Sequence, residues 1–381
     1  MSALIGACAN FDASGFSQPM DEVDSGAPVD GPMASGDALM APTDGATSPD
    51  APCLTLGCNF AFRRAISIDV SRITTTLADI PVLVSLDQTR IDYNAVQPNG
   101  EDIRFVSLDG SSTLAYEIES WDANGTSFVW LLIPELAPAP QPHQLWMYYG
   151  DPQAVDAQDP SSVWKSEFVS VHHLSGDHGD STLNGHDGVT PNPPTEDDNG
   201  PIGGAYSFDG VNDFIELPGE AAYDFTTEMS ASLWFKVDEF DEPWQALLTK
   251  GDHSWRLHRT GTGSRLSFST TTNQGMQDNH ISSLNVEDGD WHHVLVSYNG
   301  AVIRLYIDGA VEVSVAYSEP IAETDHPVYI GENSEIAGRF FAGSIDEVRV
   351  AEAPRSRDWA RVEYLSVVDE SFIVVGPEEA P

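Results

Sequence analysis

From Phe62 onward short runs of Val, Ile, Leu and aromatic residues alternate with polar ones, broken about every eight to twelve residues by Gly, Asn, Asp or Pro. A period of two puts successive side chains on opposite faces of a strand, so the pattern predicts an all-β chain. "AISIDV", "PVLVSL", "IRFVSL", "LAYEIESW", "SFVWLLI" and "QLWMYYG" read as strands of a first β-sandwich domain, residues 60–152. Twelve further runs, from "SEFVSVHHL" to "GSIDEVRV", predict two stacked sheets in a second domain, residues 153–381. One helix is predicted near 356–367, with Ser356 as N-cap and Trp359, Val362, Tyr364 and Leu365 on its apolar side. "FIVV", 372–375, reads as a last strand. Residues 1–59 lack this texture. Within them 9–52, built from Asp, Gly, Ala, Pro and Ser, have too little apolar surface to fold and read as a disordered tether.

Charge narrows the partners. The 381 residues carry 60 Asp and Glu against 17 Lys and Arg, a formal charge of -43, which repels phosphate backbones and anionic headgroups. Nucleic acid is therefore not an expected partner. No run of 18 apolar residues occurs, so no transmembrane helix is encoded. "LIGAC" resembles the end of a bacterial lipoprotein signal, with Cys8 as the lipidated residue. The stretch before Cys8 is too short for a signal peptide, so the expectation is a true start upstream with Cys8 carrying the lipid. The alternative is a chance cysteine. Cys53 and Cys58 lie close enough to form a disulfide in an oxidising compartment, or else are two free thiols.

An ordered set of pieces, "GGAYSFDGVNDFIELPG", "ASLWFKV", "LLTKGD", "DWHHVLVSYNG", "RLYIDG", "VYIGEN" and "FAGSIDEVRV", resembles a bacterial laminin-G-like domain. That resemblance implies a concanavalin A-like jelly roll. "GEDIRFVSLDG", "LAYEIESW", "VWLLIP" and "LWMYYGDP" resemble an uncharacterised β-domain that precedes such jelly rolls in bacterial envelope proteins, and the ending "RSRDWARVEY" fits the same pairing.

The candidate chemistry follows from strand parity. His292 and His293 are neighbours on one strand and so face opposite ways, as do His172 and His173. Each pair is expected to have one packed histidine and one at the surface. Asp346 and Glu347 are opposed by the same rule, and Glu117 and Glu119 are expected on the solvated side of a sheet. Calcium, which takes oxygen ligands from irregular turns, is expected at Asp209, Asn212 and Asp213, with Asp346 converging from the last strand, as similar domains often hold a structural calcium at matching positions; the alternative is that Asp209 and Gly210 merely make the hairpin, with Asp213 in solvent. Trp244, Arg256 and His258 are the candidate ligand contacts, an aromatic ring for a pyranose face and polar groups for its hydroxyls. No catalytic residues are assigned, because no nucleophile elbow, P-loop or laminarinase-type E-x-D-x-x-E strand is present. The expectation is a monomeric, non-catalytic binding module for a polysaccharide or surface protein. It would sit in the bacterial envelope or be secreted, touching a membrane only through a lipid on Cys8. A carbohydrate-active hydrolase or lyase is the alternative.

Overall fold

Four antiparallel sheets carry the chain in a computed structural model that describes residues 59–165 and 167–381; Cys8, Cys53, Cys58 and the 9–52 tether lie outside the described residues. The first sandwich pairs a five-stranded sheet with a three-stranded one made of Leu77–Leu86, Ser127–Leu136 and Tyr116–Ser120. Alternation works as expected along Leu77–Leu86. Ile80, Val82, Val84 and Leu86 enter the core between these two sheets, while Leu83 points the other way into a second cluster with Trp130 and Trp164.

The second sandwich stacks an eight-stranded sheet on a six-stranded one. Leu233, Phe235, Val294, Val296 and Ile345 from the first meet Leu248, Trp255, Leu257, Leu266 and Phe268 from the second, all at most 1 % exposed. A close contact sits at Gly331, whose φ is 84° and whose absent Cβ would lie 2.5 Å from the Phe208 ring. Gly331→Ala therefore meets both a left-handed backbone and an occupied space. The expected loss is about 2–3 kcal/mol in a urea melt.

The outer face of the eight-stranded sheet is not washed by solvent. Leu295 and Tyr306 on that face join Trp359, Ala360 and Val362 of the helix Arg357–Val368 and the core of the first sandwich in one apolar cluster. Ser356 caps the helix by accepting from the Trp359 amide, as the sequence predicts. Asp358, in its first turn, accepts from the amides and hydroxyls of Thr74 and Thr75 at 2.8–2.9 Å, which ties the helix to the first sandwich. The last strand, Ile373–Glu379, pairs with Phe62–Ile68 and so extends the five-stranded sheet of the first sandwich. Residues 59 to 381 belong to one compact unit.

This layering corrects one expectation about the histidines. His292 and His293 do face opposite ways, yet both are buried. His292 lies beside Phe235 with Nδ1 2.8 Å from Asp308. His293 lies beneath Trp234 and Tyr364, because helix and first sandwich cover what would have been a wet surface.

Candidate functional site

Strand Trp255–Arg259 sends Trp255 and Leu257 into the core and Arg256 and His258 to the opposite face of the six-stranded sheet. Across the ladder Ser269 stands opposite Arg256 and Ser267 opposite His258, and Asn279 follows Ser269 on the edge strand. These side chains make a polar floor in which Arg256, His258, Ser267 and Ser269 are buried and Asn279 is exposed. Arg256 Nε donates to His258 Nε2 at 3.2 Å, and Ser269 Oγ lies 2.8 Å from the same nitrogen. His258 Nδ1 stands 2.6 Å from the Arg259 carbonyl, which can only accept, so Nδ1 carries the proton. Burial pushes His258 down to about 3, with the Arg256 charge adding to it, so the ring stays neutral at ordinary pH. Asp252 holds Arg256 at 3.1 Å and also faces Arg339, fixing the guanidinium at one end of the floor.

At the other end stands Trp244. Its ring centroid is 5.6 Å from that of His258 and its side is 38 % exposed. Its backbone φ is 64°, a left-handed value that costs a non-glycine residue about 1–2 kcal/mol. Strain of this kind gathers where a side chain is held for use. The structure thus brings together the three predicted ligand contacts, Trp244, Arg256 and His258, and adds Ser267, Ser269 and Asn279, whose small size gave no signal in the sequence.

The calcium set is not brought together. Asp213 Oδ2 accepts from the Asp209 amide at 3.0 Å, and Asp209 Oδ1 accepts from the Val211 and Asn212 amides, so Asp209, Asn212 and Asp213 do share one turn. Asp346 does not reach it. In the ladder Asp209 pairs with Ala342, which leaves Asp346 four residues along the strand, about 13 Å away. There it is wholly buried and accepts from the Ile202 amide.

A second polar constellation escaped the sequence reading. Ala342–Ala351 pairs along one edge first with Ala205–Asp209 and then with Phe168–His172, and the handover falls at Asp346 and Glu347. On its other edge the register with Glu228–Lys236 slips between Ser232 and Trp234. Glu347 takes φ 54° at this bulge, and strict alternation of Asp346 and Glu347 fails there. Glu117 and Glu119, expected in solvent, are covered instead, because their face of the three-stranded sheet packs against the eight-stranded one. His172 and His173 are both enclosed as well, His172 fully so and His173 among the carboxylates. Trp164 Nε1 donates to Glu117, Trp130 Nε1 donates to Glu119 at 2.7 Å, and Arg349 bridges Glu347 to Glu363 with its guanidinium 4.2 Å above the Trp130 ring. Elsewhere a groove of about 770 Å³ runs along the first sandwich past Leu108, Pro134, Ala139 and Pro142, with Asp109, Glu135, Gln141 and His143 also in its lining.

Residues 209–360 match the family model described as the concanavalin A-like lectin/glucanases superfamily. The second sandwich is a laminin-G-like domain. Residues 99–182 match a domain of unknown function, DUF2341, which runs from the first sandwich into the segment that carries His173. No curated protein matches the chain. Among solved structures, the binding domain of Paraclostridial Mosquitocidal Protein 1 is 15 % identical with a TM-score of 0.45, covering 51 % of this chain and 51 % of that one. Domain 4 of AbnA, a GH43 extracellular arabinanase from Geobacillus stearothermophilus in complex with arabinotriose, is 20 % identical with a TM-score of 0.44, covering 51 % and 97 %. The botulinum neurotoxin serotype G binding domain is 11 % identical with a TM-score of 0.42, covering 51 % and 50 %. The chain thus spans about half the length of the two toxin domains. No helix among the described residues is long and apolar enough to cross a membrane.

Proposed function

We propose that the laminin-G-like domain binds a polysaccharide without turning it over, on the polar face between Trp244 and Arg256. One observation carries this reading: a half-exposed, strained tryptophan stands at the end of a floor of neutral His258, fixed Arg256 and small hydroxyls. Such a ring offers its face to the C–H side of a pyranose and the exposed Asn279 can exchange hydrogen bonds with sugar hydroxyls, while the buried Arg256, His258, Ser267 and Ser269 hold the layer beneath them in place. The acidic surface and the cysteine usage support display outside the cell, on an envelope lipoprotein held by Cys8.

A glycan array followed by calorimetry with each hit is the test. Trp244→Ala is expected to weaken binding roughly thirtyfold, the effect of truncating an aromatic hot spot worth about 2 kcal/mol. Its melting midpoint should stay level, since the ring contributes little to the core. Release of reducing ends during incubation would establish the hydrolase alternative. Equal binding by the variant would move the site off this face.

A further inference from the structure

Three donors from three separate segments converge between the three-stranded sheet and the eight-stranded sheet: Glu119, His173 and Glu347, with one ligand atom of each lying within 4.8 Å of the others. His173 Nδ1 is 2.7 Å from Glu347 Oε1 and 3.5 Å from Glu119 Oε2. Ligands held about 2.1 Å from a tetrahedral or octahedral ion stand about 3–3.4 Å from one another. The spacings here bracket that range. We propose that Glu119, His173 and Glu347 bind a divalent transition-metal ion, with zinc favoured by the mixed nitrogen and carboxylate donors.

Five further observations support the site. His173 Nε2, the nitrogen turned away from the ion, lies 3.2 Å from Glu117 Oε2, the carboxylate–imidazole arrangement that orients metal-bound histidines. The carboxylates are themselves held, Glu119 by Trp130 Nε1 and Ser175 Oγ at 2.7 and 2.8 Å, and Glu347 by Arg349. Asp346, fully buried next to Glu347, has an Oδ1 with no hydrogen-bond partner among the described residues, and the charges of Glu347 and Glu119 act on it directly. A cavity of about 230 Å³ lined by Glu117, Glu119, His173, Ser175 and Asp180 opens onto two of the three donors, Glu119 and His173, giving an entry path and room for a water ligand. Around this point, among the described residues, Glu117, Glu119, Asp346 and Glu347 share only His173 and Arg349 as cationic neighbours. Buried like charges in such excess call for a counter-ion or for protons. An imidazole nitrogen in the set favours zinc over calcium or magnesium, which take oxygen.

The experiment distinguishes ion from proton and does not depend on the glycan reading. The full chain, stripped with EDTA and dialysed, is titrated with ZnCl2 and in parallel with CaCl2, and followed by calorimetry, elemental analysis and melting. One equivalent of zinc should be retained, raising the midpoint by about 4 °C at a hundredfold excess over Kd. Glu119→Gln should bind zinc at least about tenfold more weakly. The same variant should melt no lower than wild type in EDTA, because it keeps the shape and removes a repelling charge; this guards against a variant that merely unfolds. Trp244→Ala should bind zinc as wild type does. Failure to retain zinc, or a Glu119→Gln variant that binds it unchanged, overturns the proposal, as does a response to calcium alone.

Discussion

Replacing Arg349 by alanine is expected to destabilise the protein by about 3–5 kcal/mol, the range for breaking one partner out of a buried ion pair. Its side chain is 6 % exposed and pairs with Glu347 and, at 3.0 Å, with Glu363, while the Trp130 and Trp164 rings cover the guanidinium from 4.2 and 4.8 Å. Removing it strands two carboxylates where water cannot reach them and leaves a gap between the indoles. Arg349→Met with Glu363→Gln should lose less than the sum of the two single changes, because the pair is deleted together. Urea melts of the three variants check this, and additivity would show that the ions do not act as a unit.

The same network sets the acid response. Burial opposes ionisation of Glu363, but a contact to His293 and the charge of Arg349 outweigh it and pull its carboxyl from 4.5 to about 2. A depressed folded value means stability that is present above 4.5 and lost as pH falls toward 2, about 3 kcal/mol in all. Glu119 and Asp346 act in the opposite sense. Burial and neighbouring carboxylates raise both, so their contribution is lost as pH climbs from the ordinary values, 4.5 for Glu119 and 3.8 for Asp346, through their raised ones. Melts across pH in EDTA should therefore peak on the acid side of neutrality.

Phe372→Ala is expected to cost about 3–5 kcal/mol, the usual loss when a buried phenylalanine is truncated. Phe372 is fully buried among the side chains of the first sandwich and precedes the strand that pairs with Phe62–Ile68. Val374→Ala, two residues on and 49 % exposed, should stay within about 0.5 kcal/mol. Equal effects at the two positions would mean that the last strand is not docked as described.

Alternation along the strands reveals much of this architecture before any coordinates. Val294, Val296 and Phe235 sit in the core that their spacing implies, and Arg256 and His258 share the face opposite Trp255 and Leu257. What a single strand cannot report is the layer above it. His293, Glu117 and Glu119 read as surface residues, because nothing local announces that a helix from the end of the chain and a second sandwich will cover them. Parity also breaks at a bulge. The slip at Glu347 depends on two partner strands changing places beside it, which is a property of the assembled sheet. Asp346 was misplaced for a related reason: adjacency of first and last strands fixes which strands touch, whereas register decides which residues do.

The pairing of Phe62–Ile68 with Ile373–Glu379 joins segments about three hundred residues apart, and Arg63 lies opposite Glu379. During synthesis at about 5–20 residues per second, the early strand must wait tens of seconds for its neighbour to leave the ribosome. Until then one rim of the nascent sheet offers unpaired amides and carbonyls to any passing chain. A ribosome halted after the jelly roll but before residue 373 would present an intermediate prone to self-association and to capture by chaperones.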